Sequence, residues 1–227
     1  DVTTNSFYAS HIINGAGFGG IACFNDYKLY QEAKLIRGWG RSSAIFNESE
    51  KIQDRFNIKI SGIDYDKKYI FSKLGYNFLP SEISAAFAIE QIKKLNNNVK
   101  IRIKNFEFLK NYFKKYPNFF KLPKQNHNVK TPWLAFPLVL NSKSGIKRRD
   151  LQIYLEKNGI QTRTIFTGNI LRQPILKKQY YKKHKESNVI SDDVMKNGIL
   201  IGCHHGLKNK DLKYICNSFD KYIRKFK

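Results

Sequence analysis

Apolar residues recur every three to four positions in three segments of the first half of the chain, and this spacing predicts amphipathic helices. The first segment covers residues 26–36 and starts at Asp26, a residue type that caps helix N-termini. The second starts after Ser81, another capping residue, and the third ends before Pro117. Residues 42–68, between the first two segments, are polar and irregular, which predicts a surface excursion.

A polar stretch over residues 117–132, with three prolines, predicts a domain boundary. His127 lies in it with no acidic residue nearby, so we expect it to be exposed and without a role. The remainder alternates short apolar runs with helical segments, which predicts a small α/β domain. Its predicted elements are a strand over 134–140, a helix over 147–158, a strand over 160–165, a helix from about 192, a strand over 199–201 and a helix over 210–222. The sequence thus predicts two domains, residues 1–120 and 130–227.

The most chemically suggestive segment lies at the start of the chain. Thr4, Phe7 and Tyr8 form a β-prone run, and a second apolar run begins at Ile21. The glycine-dense segment between them supplies the backbone freedom of a tight turn, so strand, turn and strand are predicted. His11 follows the first run. From these residues alone, His11 is either a partly buried side chain satisfied by local hydrogen bonds or a functional imidazole.

The run Ser6-Phe7-Tyr8-Ala9-Ser10-His11, with the glycine-rich turn after it, resembles the cofactor segment of the DegT/StrS family of nucleotide-sugar aminotransferases. That family uses pyridoxal phosphate (PLP). In most of its members a lysine that forms a Schiff base with PLP stands at the position of His11. In the 3-dehydratase branch a histidine stands there, usually followed by a second histidine, which Ile12 replaces here. The resemblance implies that His11 is catalytic and that Ser6 binds the cofactor phosphate.

Two further segments resemble the same family. The block Gly75-Tyr76-Asn77, with Glu82 and the alanines that follow it, resembles a motif whose asparagine reaches the cofactor phosphate of the other subunit. Asn77 holds that position, although Leu79 replaces a residue that is basic in many relatives. The run Arg37-Gly38-Trp39-Gly40-Arg41 resembles a dehydratase segment at the active-site cleft, which implies that Arg41 contacts the substrate. The alternative is a glycine-hinged loop anchored by a buried tryptophan.

The C-terminal part continues the resemblance. Gly159-Ile160-Gln161-Thr162-Arg163 and the block 166–174 are similar to family segments, and they imply that Arg163 and Asn169 face the substrate. A surface salt bridge and a turn position are the alternatives for these two residues. His204 and His205 follow a predicted strand, on which adjacent side chains face opposite ways. We therefore expect one of them to look into the cleft, without sharing a metal ion, and the sequence does not say which.

The cysteines bear on the cofactor. Cys23, Cys203 and Cys216 are scattered, which is typical of reduced thiols rather than of a disulfide framework or a zinc site. The CDP-sugar 3-dehydratases carry an iron–sulfur cluster on cysteines just after a Trp-Gly-Arg motif. Here Ser42 and Ser43 stand there, so the resemblance is to the iron-independent, GDP-sugar type. No metal and no iron–sulfur cluster are expected.

The resemblance implies a specific chemistry. Imidazole has no primary amine, so His11 cannot hold the cofactor as a lysine does, but it can transfer protons near neutral pH. The expected reaction is 3-dehydration of a GDP-4-keto-6-deoxy sugar, as in lipopolysaccharide biosynthesis, with pyridoxamine phosphate (PMP) as cofactor and glutamate as amino donor. Because Ser6 and Asn77 would serve one site from two subunits, a homodimer is expected.

The resemblance also implies a fold and a larger whole. The expected fold is the α/β, fold-type-I (aspartate aminotransferase-like) fold of PLP enzymes, here the later part of the large domain and the small C-terminal domain. Since the histidine motif normally lies near the middle of such proteins, an N-terminal portion of the large domain is expected to precede Asp1. No run approaches the ~18 apolar residues of a membrane span, so a cytoplasmic protein without membrane partners is expected.

Two other functions stay open. The formal net charge of +23 is compatible with a basic nucleic-acid-binding module, but the lysines are spread through most of the chain, which favours compositional drift over a binding face. A basic surface would also attract an anionic nucleotide sugar. The other alternative is a catalytically silent or repurposed family member, which the departures at Ile12 and Leu79 favour.

Overall fold

The structure is a computed structural model that describes residues 1–46, 51–181 and 189–226. The chain forms two compact units, Asp1–Leu95 (unit 1) and Asn96–Lys227 (unit 2). The division therefore falls earlier in the chain than the polar stretch 117–132 in which the sequence predicts a boundary.

Unit 1 begins with an antiparallel hairpin of strand β1, Val2–Ser6, and strand β2, Gly20–Phe24. Helix α1, Tyr27–Arg37, follows. The carboxylate of Asp26 accepts hydrogen bonds from two backbone amides of the first turn, as expected of an N-cap. The predicted strand, turn, strand and helix are confirmed.

Short elements fill the segment that the sequence predicts to be irregular. They are 3-10 helices at Ser42–Ile45 and Lys67–Tyr69, helix α2 at Ile52–Phe56, and a hairpin of β3, Lys59–Ile60, and β4, Ile63–Asp64. Each is too short to give a periodic pattern. Residues 47–50 of this segment lie outside the described residues.

Helix α3, Glu82–Phe113, is a single helix of 32 residues, so the prediction of two separate helices was wrong. No glycine or proline occurs between its ends, and nothing in the local sequence therefore interrupts the helix at the asparagines 96–98. Its first part belongs to unit 1 and its second part to unit 2. The boundary between the units thus lies inside a continuous helix, where composition gives no sign of it.

Unit 2 contains a four-stranded sheet of order β5-β6-β8-β7 in which every pair is antiparallel. The strands are β5 at Phe120–Lys121, β6 at Phe136–Leu140, β7 at Thr162–Arg163 and β8 at Gly198–Ile201. The helices are α4 at Arg148–Lys157, α5 at Val189–Asn197 and α6 at Asn209–Ile223, with 3-10 helices at Ser142–Ser144, Ile170–Arg172, Pro174–Lys178 and Arg224–Phe226. The predicted α/β elements are confirmed, although the strand predicted over 160–165 is only two residues long. The prediction missed β5, two residues within a polar stretch.

The core of unit 2 is built from both helices and sheet. Phe113 of α3, Phe136 of β6 and Phe219 of α6 have no exposed surface. The ring of Phe113 meets that of Phe219 edge-on, with centroids 4.8 Å apart, and stacks on that of Phe136 at 5.6 Å. Contacts of this kind stabilise a core beyond the area they bury, so unit 2 has the interior of an independent domain.

Unit 1, in contrast, buries few apolar side chains. Among its described residues, Leu35 and Ala88 are the only buried hydrophobic ones. Phe18, Leu74 and Ile83 are 75%, 97% and 80% exposed. Apolar surface of this extent is typical of a protein–protein interface.

An ion pair in unit 2 gives a pH-dependent stability. Asp192 accepts two hydrogen bonds from Arg172, each 2.5 Å long, and one from Asn169 at 2.7 Å. These bonds, with Arg172 the largest cause, lower the pKa of Asp192 to about 2. The stabilisation is present above the pKa of an unfolded aspartate, about 3.9, and is lost as the pH falls toward 2.

We therefore expect Asp192→Asn to lower the urea midpoint of unit 2 at pH 6, with a difference from wild type that shrinks between pH 4 and pH 2. Urea unfolding at several pH values checks this. A difference that does not change over that range would contradict the assignment of the stabilisation to the charged carboxylate.

In the part of the chain that the structure describes, no helix combines the length and the apolar composition needed to cross a membrane.

Candidate active site

The turn between β1 and β2 carries His11 and is held by backbone hydrogen bonds. The amide of Phe7 donates to the carbonyl of Gly19 at 3.0 Å, and the amide of Gly15 donates to the carbonyl of Phe7 at 2.9 Å. Gly17 and Gly19 have φ angles of +101° and +94°, which favour glycine. The glycine-rich sequence therefore folds back on the end of β1 and fixes the backbone around His11.

The imidazole of His11 has a defined orientation. Its Nδ1 lies 2.9 Å from the backbone carbonyl oxygen of Ser6. Because a carbonyl oxygen can only accept, Nδ1 is the nitrogen that carries the proton. In the neutral ring Nε2 is then unprotonated, which is the state that a general base requires. The ring of Tyr8 packs edge-on against it, with centroids 6.1 Å apart.

Ser6 lies at the end of β1, with its side chain exposed. Its Oγ accepts a hydrogen bond from the amide of Tyr8 at 3.3 Å, and the hydroxyl proton remains available to an acceptor. Ser6 also lines a cavity of about 780 Å³ together with residues of β2, α1 and the start of α3. Lys34 and Arg37 of α1 contribute to its wall, so an anion there would meet positive charge.

Asn77 is positioned by its backbone. Strand-like pairing joins residues 36–39 to residues 76–78, with the amide of Trp39 donating to the carbonyl of Tyr76 at 2.9 Å and that of Phe78 to the carbonyl of Arg37 at 3.0 Å. The side chain of Asn77 is exposed and has no hydrogen-bond partner among the described residues. Its amide is therefore free to bind a ligand.

The guanidinium of Arg41 is held by aromatic rings. Its Cζ lies 4.4 Å from the centroid of the Trp39 ring and 5.8 Å from that of Phe71. Its Nε is buried and has no hydrogen-bond partner among the described residues. Trp39 is 37% exposed, so the alternative of a loop anchored by a buried tryptophan was wrong in that respect. The indole instead supports the arginine by a cation–π contact.

The loop of Arg41 depends on Gly40. This residue has a φ angle of +74°, and a Cβ atom on it would lie 1.8 Å from the carbonyl oxygen of Lys73. Gly62 has a similar φ of +84° but open space around it. Gly40→Ala should therefore suffer a clash in addition to the strain of its backbone angle, and Gly62→Ala should suffer the strain alone.

We expect Gly62→Ala to lower the free energy of unfolding by about 1 kcal/mol and Gly40→Ala to lower it by about 1–3 kcal/mol more. Denaturant titration of the two variants checks this. Equal losses would show that the close approach of Gly40 to Lys73 does not exist.

The structure gives Arg163 and Asn169 different environments. Arg163 is exposed on β7, and its Nη1 donates to the carbonyl of Thr162 at 2.7 Å. Asn169 is buried, with its Oδ1 accepting from the amide of Leu171 at 3.0 Å and its Nδ2 donating to Asp192. Both polar atoms of Asn169 thus stabilise a turn, and the prediction that either residue faces the substrate stays a prediction.

His204 and His205 lie in a turn after β8, not on a strand, so the argument from alternating strand faces does not apply. Both are exposed residues. Neighbouring atoms nevertheless cover part of each ring, and this partial burial, followed by the charge of Arg102, lowers the pKa of both histidines. The amide of Gly206 donates to Nδ1 of His204 at 3.2 Å, which leaves the proton of the neutral ring on Nε2. His204 therefore presents a hydrogen-bond donor.

Two groups of site residues are brought together. Ser6 and His11 share one turn, and the segments of Arg41 and Asn77 pair through their backbones. Sequence reasoning missed Tyr8 as a neighbour of the His11 ring, because ring packing depends on the turn conformation. Among the described residues, no group of three His, Cys, Asp or Glu side chains has the geometry to hold a metal ion.

The fold is that of known enzymes. The chain superposes on the structure of E. coli GDP-4-keto-6-deoxy-D-mannose-3-dehydratase with bound hydrated PLP, with a TM-score of 0.81 and 28% identity over 96% of this chain and 54% of that one. This similarity shows that the chain has the fold of the fold-type-I PLP-dependent enzymes, as the sequence predicts.

The sequence defines the family. Residues 1–220 match the model of the DegT/DnrJ/EryC1/StrS aminotransferase family, and the chain therefore belongs to that family. It is 30% identical to the lipopolysaccharide biosynthesis protein RfbH of Salmonella typhimurium, over 98% of this chain and 51% of that protein. It is 31% identical to GDP-4-keto-6-deoxy-D-mannose 3-dehydratase of E. coli O55:H7, over 89% of this chain and 50% of that protein. The chain thus spans about half the length of the curated relatives it matches.

Proposed function

We propose that this chain is the catalytic-histidine-bearing part of a PMP-dependent 3-dehydratase that removes a hydroxyl group from a GDP-4-keto-6-deoxy sugar for surface-polysaccharide biosynthesis. The observation that carries the proposal is the histidine at position 11, with Nδ1–H directed to the Ser6 carbonyl. The similarity to the GDP-4-keto-6-deoxy-D-mannose 3-dehydratases of E. coli O55:H7 and Yersinia pseudotuberculosis supports it. A lysine at the same position would instead suit an aminotransferase, and a UDP-4-amino-4,6-dideoxy-N-acetyl-beta-L-altrosamine transaminase of Campylobacter jejuni is 25% identical to this chain.

The residues at the site fit a phosphorylated pyridine cofactor. The Ser6 hydroxyl and the Asn77 amide are both exposed and can donate to phosphate oxygens. The absence of an amine on His11 leaves the cofactor free of a covalent tether to that residue. As the resemblance implies, we assign Ser6 to the cofactor of its own subunit and Asn77 to that of the partner in a homodimer. The exposed apolar surface of unit 1 supports an assembled form of this kind.

The proposed chemistry assigns His11 to proton transfer. When bound, PMP supplies an amine that joins the keto carbon of the sugar and a ring that withdraws electrons from it. With the cofactor bound, Nε2 of His11 would be the base that takes up a proton, and the resulting imidazolium would give that proton to the C3 hydroxyl of the sugar, which would leave as water. The hydrogen bond of Nδ1 to the Ser6 carbonyl holds the ring in place throughout, because Nδ1 is a donor in both the neutral and the protonated imidazole.

The substrate would be held by cations. Arg41, with its guanidinium supported by Trp39, and the exposed Arg163 are candidates for the diphosphate, because arginine matches phosphate geometry. His204 and His205 are candidates for neutral hydrogen-bond donors to the substrate. Asn169 is a candidate for supporting the substrate site through the turn at Leu171. A solved 3-dehydratase structure holds GDP-perosamine, and another holds PLP trapped with glutamate, which supports the assignment of a GDP-sugar substrate and of glutamate as amino donor.

The experiment incubates the full-length protein with GDP-4-keto-6-deoxymannose, PMP and glutamate, and follows the sugar by mass spectrometry. The proposal predicts a 3-deoxy-4-keto sugar that is lighter than the substrate by one oxygen atom, together with released ammonia, because the hydroxyl leaves as water, PMP ends as PLP and the resulting enamine is hydrolysed to the ketone. Glutamate then returns PLP to PMP. An aminated sugar would replace the proposal with transamination. Recovery of unchanged sugar by a protein that binds PMP would identify a silent member of the family.

A further inference from the structure

Helix α3 carries three buried polar residues, Asn98, Arg102 and Asn105, of which Arg102 and Asn105 lie one helical turn apart. These two are 4% and 3% exposed. Buried polar groups are costly unless they form hydrogen bonds, so their partners indicate what they stabilise. Asn105 forms hydrogen bonds to the turn that carries His204, and Arg102 forms them to the segment that precedes β6.

Asn105 closes that turn. Its Nδ2 donates to the backbone carbonyl of His204 at 2.9 Å and more weakly to that of Leu207 at 3.4 Å. The amide of Leu207 donates to the same His204 carbonyl at 3.1 Å. One amide side chain, reaching from a residue 99 positions earlier, therefore fixes both ends of the turn.

This turn also fixes the orientation of the His204 imidazole. The amide of Gly206 can donate to Nδ1 of His204 only while the turn keeps them 3.2 Å apart. A Cβ atom on Gly206 would lie 3.1 Å from Nδ1, which shows how closely the ring and this backbone pack. The consequence is a neutral His204 with its proton on Nε2.

Arg102 adds charge and support from the same helix. Its Nη1 donates to the carbonyls of Trp133 and Leu134 at 3.2 and 3.1 Å. Its positive charge opposes protonation of the nearby imidazole, as does His205, whereas Asp211 favours protonation. With burial as the largest cause, the pKa of His204 is lowered, which favours the neutral ring that the hydrogen bond from Gly206 requires.

We propose that Asn105 is a positioning residue that holds His204 as a neutral Nε2–H donor toward an oxygen atom of the nucleotide sugar. The inference rests on the proposed function for the identity of the ligand. The tautomer of His204 and its dependence on Asn105 can be measured without substrate. Failure of the dehydration assay would therefore leave this part of the proposal testable.

The test uses the full-length protein and Asn105→Leu, which keeps a similar volume but removes both donors. Long-range ¹⁵N NMR of the histidine side chains should show His204 as the Nε2–H tautomer in wild type and as a mixture of both tautomers in the variant. KM for the GDP-sugar should rise about tenfold, the equivalent of one lost hydrogen bond, with a smaller change in kcat. Asn105→Ala also removes both donors but leaves a cavity in place of the side chain. If the leucine variant does not fold, the alanine variant provides the same test.

Asn98→Leu is the matched control, because Asn98 is also a buried asparagine of α3. It should leave the tautomer of His204 and KM unchanged. An unaltered His204 tautomer in both Asn105 variants would overturn the proposal. So would an altered tautomer with unchanged KM, since His204 would then not meet the substrate.

Discussion

His11→Asn is expected to reduce dehydration of the GDP-sugar by about 10²- to 10⁴-fold, the usual contribution of a positioned general acid–base group. Asparagine has a similar size and can still donate to the Ser6 carbonyl, but it has no basic nitrogen. Binding of PMP should be retained, because His11 makes no covalent bond to the cofactor in the proposed mechanism. The measurement compares the rate of formation of the 3-deoxy sugar and the affinity for PMP in the two proteins.

His127→Asn is the control for this substitution. His127 is an exposed histidine in the turn that precedes β6, so the same chemical change there should leave the rate unaffected. Retained turnover in His11→Asn would remove the catalytic role of His11. Loss of activity in both variants would mean that the assay reports general damage to the protein.

Asn77→Asp is expected to weaken binding of PMP by about 10- to 100-fold. The exposed amide would be replaced by a carboxylate that repels the phosphate, and a hydrogen bond to a charged group contributes about 1.5–3 kcal/mol. Leu74→Ala is a suitable control, because Leu74 is 97% exposed, has no polar atom in its side chain and is not among the residues that line the cavity beside Ser6. Fluorescence or absorbance titration with PMP measures both affinities.

The assignment of Asn77 to the partner subunit has its own test. Protein that carries only His11→Asn is mixed and refolded with protein that carries only Asn77→Asp. A mixed dimer has one site in which both residues are intact if Asn77 acts across the interface, and activity should return. Absence of recovery in mixed dimers would place both residues in the site of a single chain.

The sequence allowed prediction of the elements with local signals. The helix cap at Asp26 and the turn after His11 depend only on residues that are adjacent in sequence, and the structure confirms both. The continuity of α3 was missed because two apolar patterns with different partners appear as two helices in sequence. Strand β5 was missed because two residues give no periodicity, and its pairing with β6 depends on tertiary structure.

The sequence predicts which residues form the candidate site, which stays a prediction, but it does not predict where the protons of the histidines lie. His11 and His204 are both histidines next to glycine-rich turns, yet the structure puts their protons on opposite nitrogens. At His11 a backbone carbonyl accepts a hydrogen bond from Nδ1, whereas at His204 a backbone amide donates one to Nδ1. That difference comes from the direction of the backbone, which no residue type encodes. The roles of Arg102 and Asn105 were hidden for a related reason, since their partners lie far away in sequence.

The central claim is that His11 acts as a base through Nε2 and forms no covalent bond to the cofactor. ¹⁵N NMR of the His11 side chain in the full-length protein tests this claim most directly. The account predicts a proton on Nδ1, an unprotonated Nε2, and a change in the Nε2 signal when PMP is added. A neutral ring with its proton on Nε2, or a His11 signal that PMP does not alter, would contradict it.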